Sequence, residues 1–296
     1  MRVLITGADG FTGRFVAKEF KDCGAEVAGL MHHEHKVATV DSVFEADLLD
    51  RARLLSVIQA VRPDYVVHLA AISFVAHGDV DAIYRTNVVG TRNLLQALVD
   101  AGVKPQGVLL ASSANIYGNA AVEVIDESVP ASPANDYAVS KLAMEYMARL
   151  YMDRLPIILT RPFNYTGVGQ TGNFLLPKIV DHFRRRAVLI ELGNLDVARD
   201  FSDVRMVANC YRRLLETPGT AGGVFNVCGG RAYSLMDVLR MAESISGHSM
   251  EVRVNPAFVR ANEVRILRGS RAHLEATIGA VADYPLEETL QWMLEA

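Results

Sequence analysis

From Arg2 to about Thr160, short aliphatic and β-branched runs alternate with longer segments whose apolar residues recur at helical spacing. That alternation is the pattern of a parallel sheet covered by helices. The runs Val3 to Thr6, Glu26 to Leu30, Ser42 to Ala46, Tyr65 to Ala70, Gly107 to Ser112 and Ile157 to Arg161 predict six strands. Arg14 to Cys23, Ala52 to Val61, Val80 to Ala101 and Tyr137 to Met152 predict helices between them. In the last of these, Leu142, Tyr146 and Leu150 recur at every fourth position and predict one apolar face. With right-handed crossovers, these elements make a doubly wound α/β sheet.

After Pro162 the alternation stops. Gly167, Gly169, Gly172 and Gly193 interrupt the pattern, and a second, smaller region is expected. Phe201 to Val204 and Val224 to Val227 read as short strands that return to the main sheet, with a helix over Val207 to Glu216 between them. Ser234 to Ser246 reads as an amphipathic helix opened by Ser234 and Asp237 at capping-box spacing, and Leu286 to Leu294 as a final helix. The expected division is residues 1–163 as one domain, rejoined by 198–228, with 164–197 and 229–296 as the other.

Composition narrows the class. Half of the 296 residues are apolar, which excludes a disordered chain, and 30 basic against 34 acidic residues give a net charge of −4, which argues against a nucleic-acid partner. The longest nearly apolar stretch, Tyr65 to Ala76, is too short to cross a membrane and contains His68. Cys23, Cys210 and Cys228 are scattered and suggest neither a disulfide framework nor a metal site. With no leader pattern visible, a cytoplasmic protein is expected.

The first strand runs into Gly7-Ala8-Asp9-Gly10-Phe11-Thr12-Gly13 and then a helix. Three glycines at this spacing let bare backbone and a helix N-terminus approach a pyrophosphate, although glycine also serves plain tight turns. An NAD-selective site carries an acid at the end of the second strand. Here that position is near Met31, followed by His32, His33, Glu34, His35 and Lys36, so NADP(H) is favoured, with NAD(H) as the alternative. The same residues would also suit a solvated loop. Asp47 and Leu48 follow the third strand, where the Asp could reach an adenine amino group.

The fifth strand delivers Ser113 at its C-terminal edge, the side on which open α/β sheets bind ligands. Tyr137 and Lys141 lie four apart on a predicted helix and share a face. An ammonium beside a phenol is expected to lower the phenol's pKa and make it a usable acid or base, with Ser113 holding the same substrate oxygen. A Tyr and a Lys at this spacing also occur on many helices as a plain surface pair. The glycine turn and the serine strand favour the catalytic reading.

Together TGADGFTG (Thr6 to Gly13), DLLD (Asp47 to Asp50), VVHLAA (Val66 to Ala71), TNVVGTRNLL (Thr86 to Leu95), ASSANIYG (Ala111 to Gly118), YAVSK (Tyr137 to Lys141) and RPFN (Arg161 to Asn164) make the chain resemble the extended short-chain dehydrogenases/reductases over essentially its whole length. The resemblance implies a Rossmann-type sheet with a smaller C-terminal α/β substrate domain. It implies Ser113, Tyr137 and Lys141 as the catalytic triad. For the cofactor it implies Gly7, Gly10, Phe11, Thr12, Gly13, His32, Asp47, Leu48, Leu69, Ala70 and Ala71 beside Tyr137 and Lys141. Family members mostly act on nucleotide-activated sugars, and Ser73, Asn115, Asn164 and Lys178 are expected at the substrate.

ELGNLDVARDFSDV (Glu191 to Val204), RANEVRILRGS (Arg260 to Ser270) and FNVCGGRAYSLMDVL (Phe225 to Leu239) are similar to stretches of the GDP-sugar members. There Arg199 would bind the nucleotide, Arg260 the phosphates and Glu263 the ribose. Dehydratases of that group carry a Glu two residues after the catalytic Ser or Thr; Asn115 stands there and cannot move a proton. The resemblance therefore implies NAD(P)H-dependent reduction of the C4 ketone of a GDP-linked 4-dehydro-6-deoxymannose to GDP-rhamnose. The alternatives are a nucleotide-sugar 4-epimerase and a dTDP- or UDP-4-keto-6-deoxysugar reductase. A homodimer is expected through a four-helix bundle of Val80 to Ala101 and Tyr137 to Met152, with Leu94, Leu98, Met144 and Met147 compatible with the contact.

Overall fold

A computed structural model describes residues 1–33, 37–73, 78–259 and 265–296. The first half runs β1 (Arg2–Thr6), α1 (Phe11–Asp22), β2 (Glu26–Met31), β3 (Ser42–Glu45), α2 (Arg51–Val61), β4 (Tyr65–His68), α3 (Val80–Tyr84), α4 (Thr91–Asp100), β5 (Gly107–Ala111), α5 (Asp136–Arg149) and β6 (Ile157–Pro162). The second half runs β7 (Asn164–Thr166), α6 (Leu175–Arg184), β8 (Leu189–Leu192), β9 (Ala198–Asp203), α7 (Val204–Glu216), β10 (Val224–Val227), β11 (Ala232–Ser234), α8 (Leu235–Ser246), β12 (Glu251–Val254), β13 (Ile266–Leu267), α9 (Ala272–Ile278) and α10 (Leu286–Glu295). Each of the six strands expected in the first half is present. The helix expected over Val80 to Ala101 is α3 and α4 joined by a π turn over Arg85–Gly90.

Seven parallel strands form the main sheet in the order β10-β6-β5-β4-β1-β2-β3. Its strands are nearly continuous apolar runs because both faces are covered. Val3, Ile5, Val27, Val67 and Leu109 point to the side that holds α1, α7 and α9; Leu4, Ala28, Val66, Val108 and Leu110 point to the side of α2, α4 and α5. The chain winds outward in one direction through β1, β2 and β3 and in the other through β4, β5 and β6. The order therefore reverses between β1 and β4, and a crevice opens past their C-terminal ends.

Beyond β6 the structure departs from one expectation. Of the two short strands expected to return, only β10 joins the main sheet, pairing in parallel with β6. The other, β9, begins at Ala198 and pairs with β7, β11 and β13 in a separate sheet. The physical reason is placement: β7 leaves the end of β6 already directed away from the main sheet, and β9 aligns with it while β10 takes the sheet edge. A third small sheet pairs β8 with β12, and α6, α8 and α10 bury Leu176, Ile179, Phe183, Val238, Leu239 and Leu290 together. The Ser234 and Asp237 capping box that opens α8 is formed on both sides.

Helix α5 reverses the expected facing. Tyr146 is 59% and Leu150 71% exposed, whereas Tyr137, Ser140, Lys141, Met144 and Glu145 are buried. Periodicity of apolar residues misleads here because the buried polar groups find partners on the sheet. Leu94, Leu98 and Met144 are buried in the chain's own core and present no apolar surface to a second copy, whereas Met147 packs against that core and is only partly buried. Among the described residues no helix is long and apolar enough to cross a membrane.

Candidate active site

The glycine turn lies at the crevice between β1 and β4. Gly7 has φ of 68°, and a Cβ there would lie 3.0 Å from the Ala70 nitrogen. A Cβ on Gly13 would lie 2.1 Å from the Gly7 carbonyl oxygen. Only glycine permits the closure, which leaves a cradle of bare backbone. Helix α1 follows Gly10 at its N-cap, with no side-chain cap and no acid in its first turn, so its positive end is open to an anion. This cradle fits the pyrophosphate of a dinucleotide. Thr12 Oγ1 lies 2.8 Å from the Tyr165 hydroxyl, and Phe11 stacks on the Tyr165 ring, tying the turn to β7.

At one end of the cleft, His32 Nε2 lies 3.7 Å from an Asp47 carboxylate oxygen and its Nδ1 lies 3.1 Å from His33 Nε2. Leu48 lines the same end. Glu34, His35 and Lys36 lie outside the described residues.

The segment after β4, which carries Leu69, Ala70 and Ala71, is held by a buried polar chain. The Thr91 hydroxyl donates to the Asn87 carbonyl oxygen, so it accepts from His68 Nε2 at 2.8 Å. His68 Nδ1 then accepts from the Thr6 hydroxyl at 2.7 Å. Thr6 Oγ1 in turn accepts the amides of Leu69 and Ala70. The network thus selects one neutral tautomer. Burial, with the Lys141 charge adding to it, pushes the His68 pKa down to about 3. Asn87 holds Ile72 through both its amide and carbonyl, and its side chain donates to Ser140 on α5.

Ser113, Tyr137 and Lys141 meet where this segment faces β5. Ser113 caps a 3-10 turn over Ala114–Tyr117, its Oγ accepting the Asn115 amide at 3.2 Å. Tyr137 enters in the first turn of α5, whose start is fixed by the Asn135 side chain accepting from Ala138 N. Lys141 Nζ donates to the Ala111 carbonyl oxygen at 2.8 Å. Burial pushes Tyr137 up to about 12, partly offset by a hydrogen bond with Ser113. Burial pushes Lys141 down to about 8, partly offset by the Glu145 carboxylate. The expected lowering of Tyr137 by the lysine is therefore overturned: desolvation prevails, and the phenol holds its proton at neutrality.

The cleft of about 1520 Å³ continues past the triad toward the second region. That exceeds the ordinary range for one small ligand and leaves room for two. Ser73, Asn115, Asn164, Lys178 and Arg199 all line it, as does every glycine-turn residue expected at the cofactor. Lys178 donates to the Glu191 carbonyl oxygen at 2.6 Å and lies over the Phe258 ring. Arg199, 9% exposed, donates to the carbonyl oxygens of Ala198 and Arg265. Its neighbour Asp200 turns away from it to accept amides from Gly229, Gly230 and Gly269. Arg260 and Glu263 lie outside the described residues.

Two buried groups had no place in the sequence reading. One is the His68 chain. The other is a bidentate pair between Arg161 and Glu145, with Arg161 also donating to the Tyr117 hydroxyl. A carboxylate four residues beyond Lys141 and an arginine inside an apolar strand were the available signals.

A parallel sheet whose strand order reverses at a glycine cradle, with Ser, Tyr and Lys converging beside it, defines a dinucleotide-dependent α/β enzyme. The sequence profile of the NAD dependent epimerase/dehydratase family matches residues 3–228. The chain belongs to that family, the extended short-chain dehydrogenases/reductases, and is an NAD(P)-dependent oxidoreductase of it. It is 36% identical to the GDP-6-deoxy-D-talose 4-dehydrogenase of Aggregatibacter actinomycetemcomitans, over 94% of this chain and 92% of that one. It is 32% identical to the GDP-6-deoxy-D-mannose reductase of Pseudomonas aeruginosa, over 99% and 96%. A solved structure from Burkholderia cenocepacia J2315 is 49% identical, with a TM-score of 0.93 over 99% of this chain and 97% of that chain. The structure of RMD from Pseudomonas aeruginosa, complexed with NADPH, has 30% identity and a TM-score of 0.87 over 99% and 96%.

Proposed function

We propose that this enzyme reduces the C4 ketone of GDP-4-dehydro-6-deoxy-D-mannose with a reduced nicotinamide dinucleotide, giving GDP-D-rhamnose. The observation that carries the reading is that Tyr137, hydrogen-bonded to Ser113, and Lys141, one helical turn further on, line one cleft large enough for two ligands. The two GDP-sugar relatives support the ketone. Talose and mannose differ only in configuration at C4, so removing hydrogen there from either 6-deoxy sugar leaves the same ketone. The 36% relative favours a second reading of the product, GDP-6-deoxy-D-talose.

The glycine cradle would hold the pyrophosphate of a reduced nicotinamide dinucleotide, with Asp47 and His32 at the adenosine end, and that group would supply the hydride. Ser113 Oγ holds the ketone oxygen, and Tyr137, which keeps its proton at neutrality, donates it as charge develops on that oxygen. The Lys141 ammonium lowers the cost of the phenolate left behind. Asn115, beside Ser113, has no proton to move, so the site lacks the second acid that elimination of water would need. Asn164, Lys178 and Arg199 line the part of the cleft that would take the GDP group. The histidines beside Asp47 favour NADP(H) over NAD(H).

Incubation with the GDP-linked ketone and stoichiometric NADPH or NADH should consume nicotinamide absorbance and give one C4 product, whose configuration proton NMR reads. Interconversion of C4 epimers without net oxidation would instead identify an epimerase. In Tyr137→Phe turnover should fall by about 10²–10⁴ while cofactor binding survives. The expected homodimer would use Val139 and Tyr146 of α5 and Leu150 just past its end, apolar residues that are exposed. Leu150→Glu with Tyr146→Glu should then halve the mass seen by light scattering, and an unchanged mass would remove this face from the contact.

A further inference from the structure

Helix α5 buries three ionisable residues at successive turns, Tyr137, Lys141 and Glu145, and the last is 0% exposed. Arg161 of β6 meets Glu145 with two hydrogen bonds, Nε to Oε1 at 3.0 Å and a terminal nitrogen to Oε2 at 2.7 Å. Its other terminal nitrogen donates to the Tyr117 hydroxyl at 2.9 Å. Tyr117 donates to Asn226 Oδ1 at 2.8 Å, and Asn226 sits opposite Arg161 in the β6–β10 register. Tyr117 closes the short turn that Ser113 opens. One buried pair therefore joins the helix carrying Tyr137 and Lys141 to the turn carrying Ser113, through the sheet.

A buried ion pair is no bargain for stability alone, because apolar residues of the same volume often serve as well. Its position gives it another use. Lys141 is buried, its ammonium bonds to a backbone carbonyl, and Glu145 is the anion one turn away. We propose that Glu145, paired with Arg161, is a positioning residue that keeps the Lys141 ammonium charged, while the Arg161 to Tyr117 bond sets Ser113 in register with Tyr137.

Among the described residues the surroundings leave this task to Glu145. From β4 Lys141 faces the neutral His68, from β5 the Ala111 carbonyl, and along its own helix Tyr137 with its proton on. Asp81, Arg85, Arg92 and Asp100, on the helices packed beside α5, are all exposed to solvent. Arg161 is paired with Glu145, so removing the carboxylate alone also leaves that cation uncompensated. Lys141 sits at about 8 with Glu145 in place, so the loss of one nearby anion decides its state at neutral pH.

The role of Lys141 in this inference rests on the reduction proposed above, so the primary test needs no substrate. The chain has six lysines, few enough to assign Lys141 in ¹³Cε-lysine NMR by comparison with Lys141→Arg. In the cofactor-free protein Glu145→Gln should lower the Lys141 midpoint by at least about one pH unit. Tyr117→Phe, which keeps the ion pair, should leave that midpoint in place yet reduce kcat. With substrate, Glu145→Gln should lower kcat at neutral pH with little change in KM and move the alkaline limb by the same amount, and Glu145→Asp should recover part of the loss. If Glu145→Gln does not fold with Arg161 left unpaired, Glu145→Gln with Arg161→Met removes both charges and should lower the midpoint by less, because the departing arginine charge had opposed that of the carboxylate. A Lys141 midpoint within a few tenths of wild type in folded Glu145→Gln overturns the proposal, as does a midpoint that is not lowered at all in the double variant. So does an equal shift in Tyr117→Phe, which would mean only loosened packing. If the midpoint responds to Glu145 but the GDP-linked ketone is not turned over, the substrate reading fails and this one stands.

Discussion

Alanine at Gly13 would place a Cβ 2.1 Å from the Gly7 carbonyl oxygen and 2.7 Å and 2.9 Å from Ala8 Cα and carbonyl carbon. All three neighbours are backbone atoms, so no side chain can swing away. Either α1 backs off from the turn or the turn opens, and both spoil the cradle. Overpacking of this kind costs about 1–3 kcal/mol. If the upper end falls on the bound geometry, cofactor affinity drops about a hundredfold. Two other glycines of the cleft make a graded control. A Cβ on Gly10 meets only the Gly7 oxygen, at 3.1 Å, and one on Gly172 meets nothing within 4 Å. Titrating NADPH and NADH into the three alanine variants should give a large loss at Gly13, a small one at Gly10 and none at Gly172. Urea unfolding of each variant separates a loss of fold from a loss of binding. A folded Gly13→Ala protein that binds either cofactor within threefold of wild type would refute the cradle, as would equal losses in all three.

Other outcomes follow from the buried groups. Burial raises Asp200 to about 6, so the folded state holds a proton between about 4 and 6 that the unfolded state has lost. Stability from this group therefore falls as pH rises through that window, by roughly 3 kcal/mol at most, and urea melts of Asp200→Asn against wild type should show the slope removed. His68 runs the other way: its folded pKa is depressed to about 3, so its contribution is complete above about 6.5 and is lost as pH falls through that window. His68→Asn should be less stable at neutrality yet less sensitive to acid in the same melts. Arg161→Met alone strands the Glu145 carboxylate and should cost about 3–5 kcal/mol in chemical unfolding, whereas the double replacement with Glu145→Gln should cost far less.

How much of this was legible in the chain depends on which force dominates locally. Apolar runs and the glycine spacing were enough to read β1 to β6 and the phosphate turn, because a sheet buried on both faces admits few other residues. Ser113, Tyr137 and Lys141 could be read from spacing because strand edge and helix periodicity place them without long-range information. The facing of α5 could not be read that way. Lys141 and Glu145 are tolerated inside only because Ala111 and Arg161, 30 and 16 residues distant, supply partners. The path of β9 was hidden for a similar reason: its partners β7, β11 and β13 are two or three residues long, too short for a hydrophobic pattern to mark them. The rise of Tyr137 rather than its fall came from desolvation, a property of the assembled cleft and not of the Tyr and Lys spacing.

On the proposed reading a hydride goes to a sugar C4 ketone with Tyr137 as the proton donor. The most direct test of that reading uses NADPH or NADH deuterated at the transferring carbon, with GDP-4-dehydro-6-deoxy-D-mannose as acceptor and the product read by NMR and mass spectrometry. One deuterium at C4 of a GDP-6-deoxyhexose, formed by wild type and lost in Tyr137→Phe, is the predicted result. Unlabelled product, or label that arrives equally well without the phenol, would contradict the account.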